Sequence, residues 1–299
     1  MNVNRRDFIK AVSVSAAALG LGTVELTRLE RALANPSAPS VIWLQGAACT
    51  GCSVSFLNRI SPTAPTSAAD ILINSVNLVY HPNIMSLAGE DALAAADAAT
   101  GRKPYVVVVE GAIPQAYNGR ACWIGHWDGR PLTIKEAVTT WSAGAAAVVC
   151  VGNCASFGGV PAAPPNPTRA TSVSRIIGRQ TINIAGCPTH PDWITWAIVQ
   201  ILLGNPIPTD GYGRPTGLFG RTVHSMCPRR EDDDHGDTGF DAGECLRERG
   251  CLGPESPGNC PSVMWNGGLT WCVDAEAPCL GCTAADFPRS PLLVPRDDD

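Results

Sequence analysis

Short apolar runs and helical periodicities take turns along the first two thirds of the chain. The runs at 41–44, 76–80, 105–109, 147–151 and 181–184 are rich in β-branched residues and read as strands. Between them, 53–60, 86–99, 134–141 and 172–177 carry apolar residues at helical spacing, and 192–203 follows the last strand in the same way. Strands alternating with helices predict an α/β fold with a parallel sheet covered on both faces. Such a sheet binds its ligands outside the carboxyl ends of its strands. After Gly204 the pattern stops: proline and glycine become frequent from 205 to 220, and no long periodic segment follows. A boundary near residue 205 is therefore expected, between a domain over 35–205 and a loop-rich domain over 206–299.

The first 34 residues read as an address and not as fold. Arg5 and Arg6 precede a mildly apolar run from 11 to 22, and Ala32-Leu33-Ala34 offers small residues at the spacing a signal peptidase accepts. Together they predict a twin-arginine export signal over 1–34 and a periplasmic protein that folds before it is exported. An ordinary amphipathic helix is the plainer alternative. No later apolar run reaches the roughly 18–20 residues needed to cross a bilayer. The chain closes on polar Arg296-Asp297-Asp298-Asp299, so no C-terminal anchor is expected. With 27 acidic and 22 basic residues and no basic stripe, nucleic acid is not an expected partner.

Cysteine changes the picture most. Of the 13 cysteines, all but Cys122 and Cys150 fall into three groups. Cys49, Cys52, Cys154 and Cys187 would follow the first, fourth and fifth strands, which brings three distant loops to one edge of the sheet. His224, Cys227, Cys245 and Cys251 form the second group, and Cys260, Cys272, Cys279 and Cys282 the third. Iron–sulfur clusters need about four soft ligands, mostly thiolates, and three such sites in one chain make an electron wire. Zinc competes at each group: Cys49-Thr-Gly-Cys52 also suits a zinc knuckle or a thioredoxin-like motif, His224 with three cysteines matches a structural Cys₃His site, and four cysteines match a zinc ribbon. Glycines at 46, 51, 152, 158, 159 and 186 favour a cluster at the first group, because they let amide N–H groups approach its sulfurs. Disulfide stapling suits chains too small for a core, which this one is not.

The remaining residues read more plainly. Cys122 and Cys150 are expected as packing thiols, and Trp265 and Trp271 as packing beside the third group. The acidic run 231–234 reads as a solvated loop, with steering of a basic electron carrier as its functional alternative. His81, His126, His190 and His235 find no assignable partners.

LQGAACTGCSVSFLN, VEGAIP, VGNCASFGGVPAA, AGCPTHPDW, the H-x-x-C at 224–227, ECLRERGCLGP and APCLGC occur in order from about 41 to 287. Through these motifs and its leader the chain resembles the small subunit of NiFe hydrogenases. The resemblance implies a flavodoxin-like domain with a proximal cluster on Cys49, Cys52, Cys154 and Cys187. It implies a second domain with a distal cluster on His224, Cys227, Cys245 and Cys251 and a medial one including Cys260, Cys279 and Cys282. It also implies a heterodimer: the NiFe centre lies in a separate large subunit, so no catalytic residue belongs to this chain. Electrons would run from proximal to medial to distal and on to an acceptor such as a multihaem cytochrome c or a membrane cytochrome.

Two positions depart from common members. Many carry proline near Cys272 and a medial 3Fe–4S cluster, whereas four cysteines, as in the NiFeSe type, imply 4Fe–4S. Three 4Fe–4S clusters are thus expected, with a medial 3Fe–4S as the alternative. Gly51 and Gly159 stand where oxygen-tolerant relatives add cysteines, which implies an ordinary four-cysteine proximal cubane and sensitivity to air. Three rival functions remain: a hydrogen-sensing regulatory protein of the same family, which the leader disfavours; a stand-alone exported ferredoxin-like carrier; and a zinc-stabilised binding module without redox function.

Overall fold

The computed structural model describes residues 39–61, 66–74, 76–231 and 243–288. The expected leader over 1–34, the acidic residues 232–234 and His235 lie outside them. The chain runs β1 (Ser40–Gln45), α1 (Gly51–Leu57), α2 (Ala68–Asn74), β2 (Asn77–Tyr80), α3 (Gly89–Thr100), β3 (Tyr105–Glu110), β4 (Trp123–Trp127), β5 (Arg130–Thr133) and α4 (Ile134–Ser142). It continues with β6 (Ala147–Val151), α5 (Asn153–Phe157), α6 (Gly159–Ala162), α7 (Val173–Ile177), β7 (Ile182–Ile184) and α8 (Pro191–Leu203). Three short helices follow, α9 (Thr216–Phe219), α10 (Val223–Met226) and α11 (Cys260–Val263).

Five strands pair in parallel in the order β2-β1-β3-β6-β7, which is the flavodoxin-like arrangement. All six residues of β3 are buried, as expected of a central strand covered on both faces. Strand alternation splits the core in two. Val107, Val109, Ile42, Leu44, Val148 and Cys150 pack against Leu93 and Ala96 of α3 and Val138 and Trp141 of α4. Val106, Val108, Trp43, Val149 and Val151 pack against Phe56, Ile71 and, on α8, Trp193, Ile194 and Ala197.

Besides the short helices α5, α6 and α9–α11, two elements escape the periodicity reading. One is α2, and the other is the antiparallel hairpin β4–β5, whose turn places Asp128 and Gly129 at φ 52 and 70. Two left-handed residues give the type I′ turn that suits the twist of a hairpin. The hairpin lies on α3 so closely that a Cβ at Gly125 would sit 2.9 Å from Leu93 Cδ1.

Helix α8 has strong ends. The His190 side chain accepts the Asp192 N–H with Pro191 in the first turn, and Gly204 closes the helix at φ 65 while Asn205 N–H reaches Gln200 O. Leu218 and Phe219 of α9 fold back onto the α8 side of the sheet. Beyond them Val223, Leu246, Trp271, Val273 and Cys279 make a small separate core, flanked by Cys227, Cys251 and Cys260. The thiol-bearing segments are themselves most of that core, so its stability leans on whatever the thiols bind. Among the described residues no helix is long and apolar enough to cross a membrane.

Cys150 is fully buried in β6, and Cys122 is half-buried against the same core. Both are packing thiols. Cys150→Ala is expected to cost about 1 kcal/mol, the scale of losing one buried heavy atom, and to leave bound iron unchanged. Denaturant unfolding and iron assay check the two halves of this expectation.

Candidate redox site

The sheet's carboxyl edge gathers the first thiol group. Cys49 and Cys52 follow β1, Cys154 lies in the first turn of α5 after β6, and Cys187 follows β7. Cys154 lies near both Cys187 and Cys49, and Cys52 near Cys154. Cys52 is buried, whereas Cys49 and Cys187 are exposed. Burial first, then the neighbouring Cys187, pushes the Cys154 thiol up to about 11. Burial and then Glu110 push Cys52 up further.

Backbone shape makes room for these sulfurs. Gly152 has φ 88, and a Cβ there would lie 2.5 Å from Cys52 Sγ. Cβ atoms at Gly51 and Gly159 would come within 3.0 Å of the Cys49 and Cys154 Sγ atoms. The two positions expected to lack extra cysteines are therefore crowded by the thiols themselves.

Helix α1 carries Cys52 and is held from outside itself. Its N-cap residue Thr50 is left-handed at φ 65 and makes no side-chain cap. Glu110, at the end of β3, takes over: its Oε1 accepts the Cys52 N–H at 3.0 Å and the Ser53 N–H at 3.2 Å. Its Oε2 accepts from Ser53 Oγ at 2.5 Å, Gln45 Nε2 at 3.1 Å and Trp43 Nε1 at 3.4 Å. Ser53 Oγ in turn accepts from Gln45 Nε2 at 3.1 Å and pairs with His81 Nε2 at 3.2 Å. His81 Nδ1 accepts the Asn83 N–H, so its proton sits on Nε2. Burial pushes His81 down to about 4 despite the opposing effect of Glu110, which keeps the ring neutral at pH 7. On the far side, α1 is tied to the loop after Cys187 by Ser55 Oγ to Thr189 O at 2.7 Å, and its exit to the first turn of α8 by the Arg59–Asp192 ion pair at 2.8 Å.

The other two groups lie beyond α8. Cys227 ends α10 and lies near Cys245 and Cys251. His224 joins them through Gly253, whose Cβ position is 3.5 Å from both His224 Cβ and Cys251 Sγ. Cys260 lies near Cys282, Cys279 and Cys272. Burial, above all, raises Cys282 to about 12. Helix α8 clamps this third group: Trp193 Nε1 donates to Asn259 Oδ1 at 2.7 Å, and His190 Nε2, whose Nδ1 accepts the Asp192 N–H, donates to Met264 O at 2.5 Å while its ring meets Trp265 edge-on at 4.6 Å. His81 and His190 thus have the partners that the sequence did not disclose.

Order along the chain is not order in space. The Cys282 thiol lies against the Cys187 amide and thiol, which joins the third group to the first. The Cys279 N–H donates to Cys251 Sγ at 3.3 Å, which joins the third group to the second. The last thiols in sequence are the middle ones in the structure.

The donor set fits iron–sulfur centres. Buried thiols raised by burial and by one another stay protonated unless a cationic core compensates them. Thr283 Oγ1, beside Cys282, is buried without a partner among the described residues and so has a donor free for a sulfide. Among the described residues no three His, Cys, Asp or Glu converge as a single ion requires.

A flavodoxin-like sheet with thiols at its carboxyl edge, continued by loops full of further thiols, defines a redox subunit. The family model for the NADH ubiquinone oxidoreductase 20 Kd subunit matches residues 49–201, and that for the C-terminal part of NiFe/NiFeSe hydrogenase small subunits matches 219–293. The periplasmic NiFe hydrogenase small subunit of Solidesulfovibrio fructosivorans is 38% identical over 95% of this chain and 90% of its own length. The periplasmic NiFeSe hydrogenase small subunit of Desulfomicrobium baculatum is 35% identical over 98% and 99%. The structure of recombinant NiFeSe hydrogenase from Desulfovibrio vulgaris Hildenborough superposes with a TM-score of 0.79 at 36% identity, covering 87% of this chain and 98% of that one. The chain belongs to the small subunits of NiFe and NiFeSe hydrogenases, and so to an oxidoreductase enzyme.

Proposed function

We propose that this chain is the electron-transfer subunit of a periplasmic NiFe or NiFeSe hydrogenase, conducting electrons between the NiFe centre of a large subunit and an external acceptor. The observation that carries this reading is the contiguity of the three thiol groups through Cys187–Cys282 and Cys279–Cys251. Cys49, Cys52, Cys154 and Cys187 would hold the proximal centre, Cys260, Cys272, Cys279 and Cys282 the medial one, and His224, Cys227, Cys245 and Cys251 the distal one, each a 4Fe–4S cluster. Bound there, such a centre supplies reversible storage of one electron. The chain's part is to hold the three sets in line, exclude water from Cys52, Cys279 and Cys282, and aim amide donors at their sulfurs. The chain divides near residue 205 into the sheet domain and the domain of the medial and distal sets. Arg5 and Arg6 direct export, in keeping with the periplasmic naming of the relatives.

The partner's face lies beside the exposed Cys49. Val54, Leu57 and Ile60 are 51%, 43% and 73% exposed along α1 and its exit. Leu269, at 77%, is two residues from Gly267, whose Cβ position is 3.3 Å from Ile60 O. An apolar patch of this kind around an open ligand loop suits a permanent protein–protein interface, here with the large subunit. The acceptor, a multihaem cytochrome c or a membrane cytochrome, would approach from the distal side.

Co-purification with the large subunit tests the proposal. The anaerobic complex is expected to reduce a dye with H₂ and to hold about twelve irons per copy of this chain, from three 4Fe–4S centres, beyond those of the partner. Stoichiometric zinc with little acid-labile sulfide would overturn it.

A further inference from the structure

Glu110 is a carboxylate at 2% exposure, and its hydrogen-bond partners among the described residues are all neutral donors. The network is complete by atom count. Gln45 spends one N–H on Glu110 and one on Ser53 Oγ; Ser53 Oγ accepts hydrogen bonds from Gln45 and His81 and donates its own O–H to Glu110. Three of the five donors, the Cys52 N–H, the Ser53 N–H and the Ser53 hydroxyl, belong to the first turn of α1, where the local cap is missing. The carboxylate sits at the end of β3 opposite Gln45 of β1, at the crevice where this sheet order places its ligand.

We propose that Glu110 is the positioning residue of the proximal centre: it caps α1 from another strand, fixes Cys52, and places a carboxylate beside the cluster that Cys52 would hold. Two consequences follow, of different kinds. Mechanically, the turn between Cys49 and Cys52 gains a rigid anchor that Thr50 cannot give. Electrostatically, a negative charge in a dry site opposes the arrival of an electron and lowers the reduction potential of the nearest centre. The Ser53 hydroxyl moderates that charge by donating to it.

Opposite signs separate this role from a merely structural one. In the complex with the large subunit, Glu110→Gln removes the charge and is expected to shift the proximal midpoint upward. A tenfold change in the oxidised-to-reduced ratio at fixed potential would be about 59 mV for one electron. Ser53→Ala keeps the charge but removes a donor from it, and is expected to shift the midpoint downward. Both are read by potentiometric titration of the proximal electron paramagnetic resonance signal, with iron counted in every sample. The inference rests on the proximal ligand set proposed above, and iron in the unsubstituted complex tests that set separately. If the wild type lacks a proximal cluster, the ligand reading fails. If the cluster is present and both variants titrate like wild type, or shift in the same direction, the role of Glu110 is overturned. Should Glu110→Gln not load iron, the downward shift in Ser53→Ala still decides: its presence supports the role and its absence refutes it.

Discussion

Gly152→Ala is expected to strip the first thiol group of its iron, about four of the about twelve that three cubanes would carry, while the other two centres stay filled. The residue sits at φ 88 and ψ 160, a region essentially reserved for glycine, where a side chain costs about 1–3 kcal/mol in strain. That alone is survivable. The decisive contact is the new Cβ at 2.5 Å from Cys52 Sγ, because that sulfur is buried and its helix is anchored on both sides, by Glu110 and by Thr189 and Asp192. Cys52 would have to leave the position in which it faces Cys154. Gly178→Ala is the control: it is left-handed at φ 65 and ψ 20 but nothing lies within 4 Å of the added atom, so it carries a milder positive-φ strain and no clash. Full iron in Gly152→Ala, or equal loss in both variants, would show that the glycine does not shape the site.

The second large effect belongs to Cys272. Cys272→Pro is expected to turn the medial 4Fe–4S centre into 3Fe–4S, with the loss of about one iron, and to raise its reduction potential. A cubane corner without a thiolate tends to lose its metal. Cys272 is exposed, although it lies near Cys251 and the other medial thiols, so the corner it would hold is the one solvent reaches. Among the described residues its N–H makes no main-chain hydrogen bond, so proline forfeits no backbone pairing there. Electron paramagnetic resonance of the oxidised complex reads the change. An intense 3Fe–4S signal already present in undamaged wild type would refute the four-cysteine assignment.

The sheet was legible because its strands are short and nearly all apolar. A run such as Tyr105–Glu110, buried throughout, has few other places to go. The thiol loops were legible because a parallel sheet sends each strand's carboxyl end to the same edge. The hairpin β4–β5 carried its own signal in Asp128-Gly129, but Gly125 and Pro131 interrupt the alternation that would have flagged its strands. Helix α2 is no shorter than α1, but its large apolar residues, Ile71-Leu72-Ile73, are consecutive and so lack helical spacing. Glu110 was visible only as the single charge closing an apolar strand. Its partners lie up to 67 positions away, and no local pattern joins a glutamate to a helix cap across that distance. The spatial order of the three thiol groups was hidden for the same reason, since contacts such as Cys187–Cys282 are set by how loops fold back and not by spacing.

The segment 279–282 meets every thiol group: Cys279 and Cys282 stand among the middle thiols, the Cys279 amide holds Cys251, and Cys282 rests on Cys187. Those four residues are a single point of failure. In the proposed relay a chemical lesion there, such as oxidation of either sulfur, would disturb all three thiol groups at once, whereas a lesion at Cys49 would touch the first group alone.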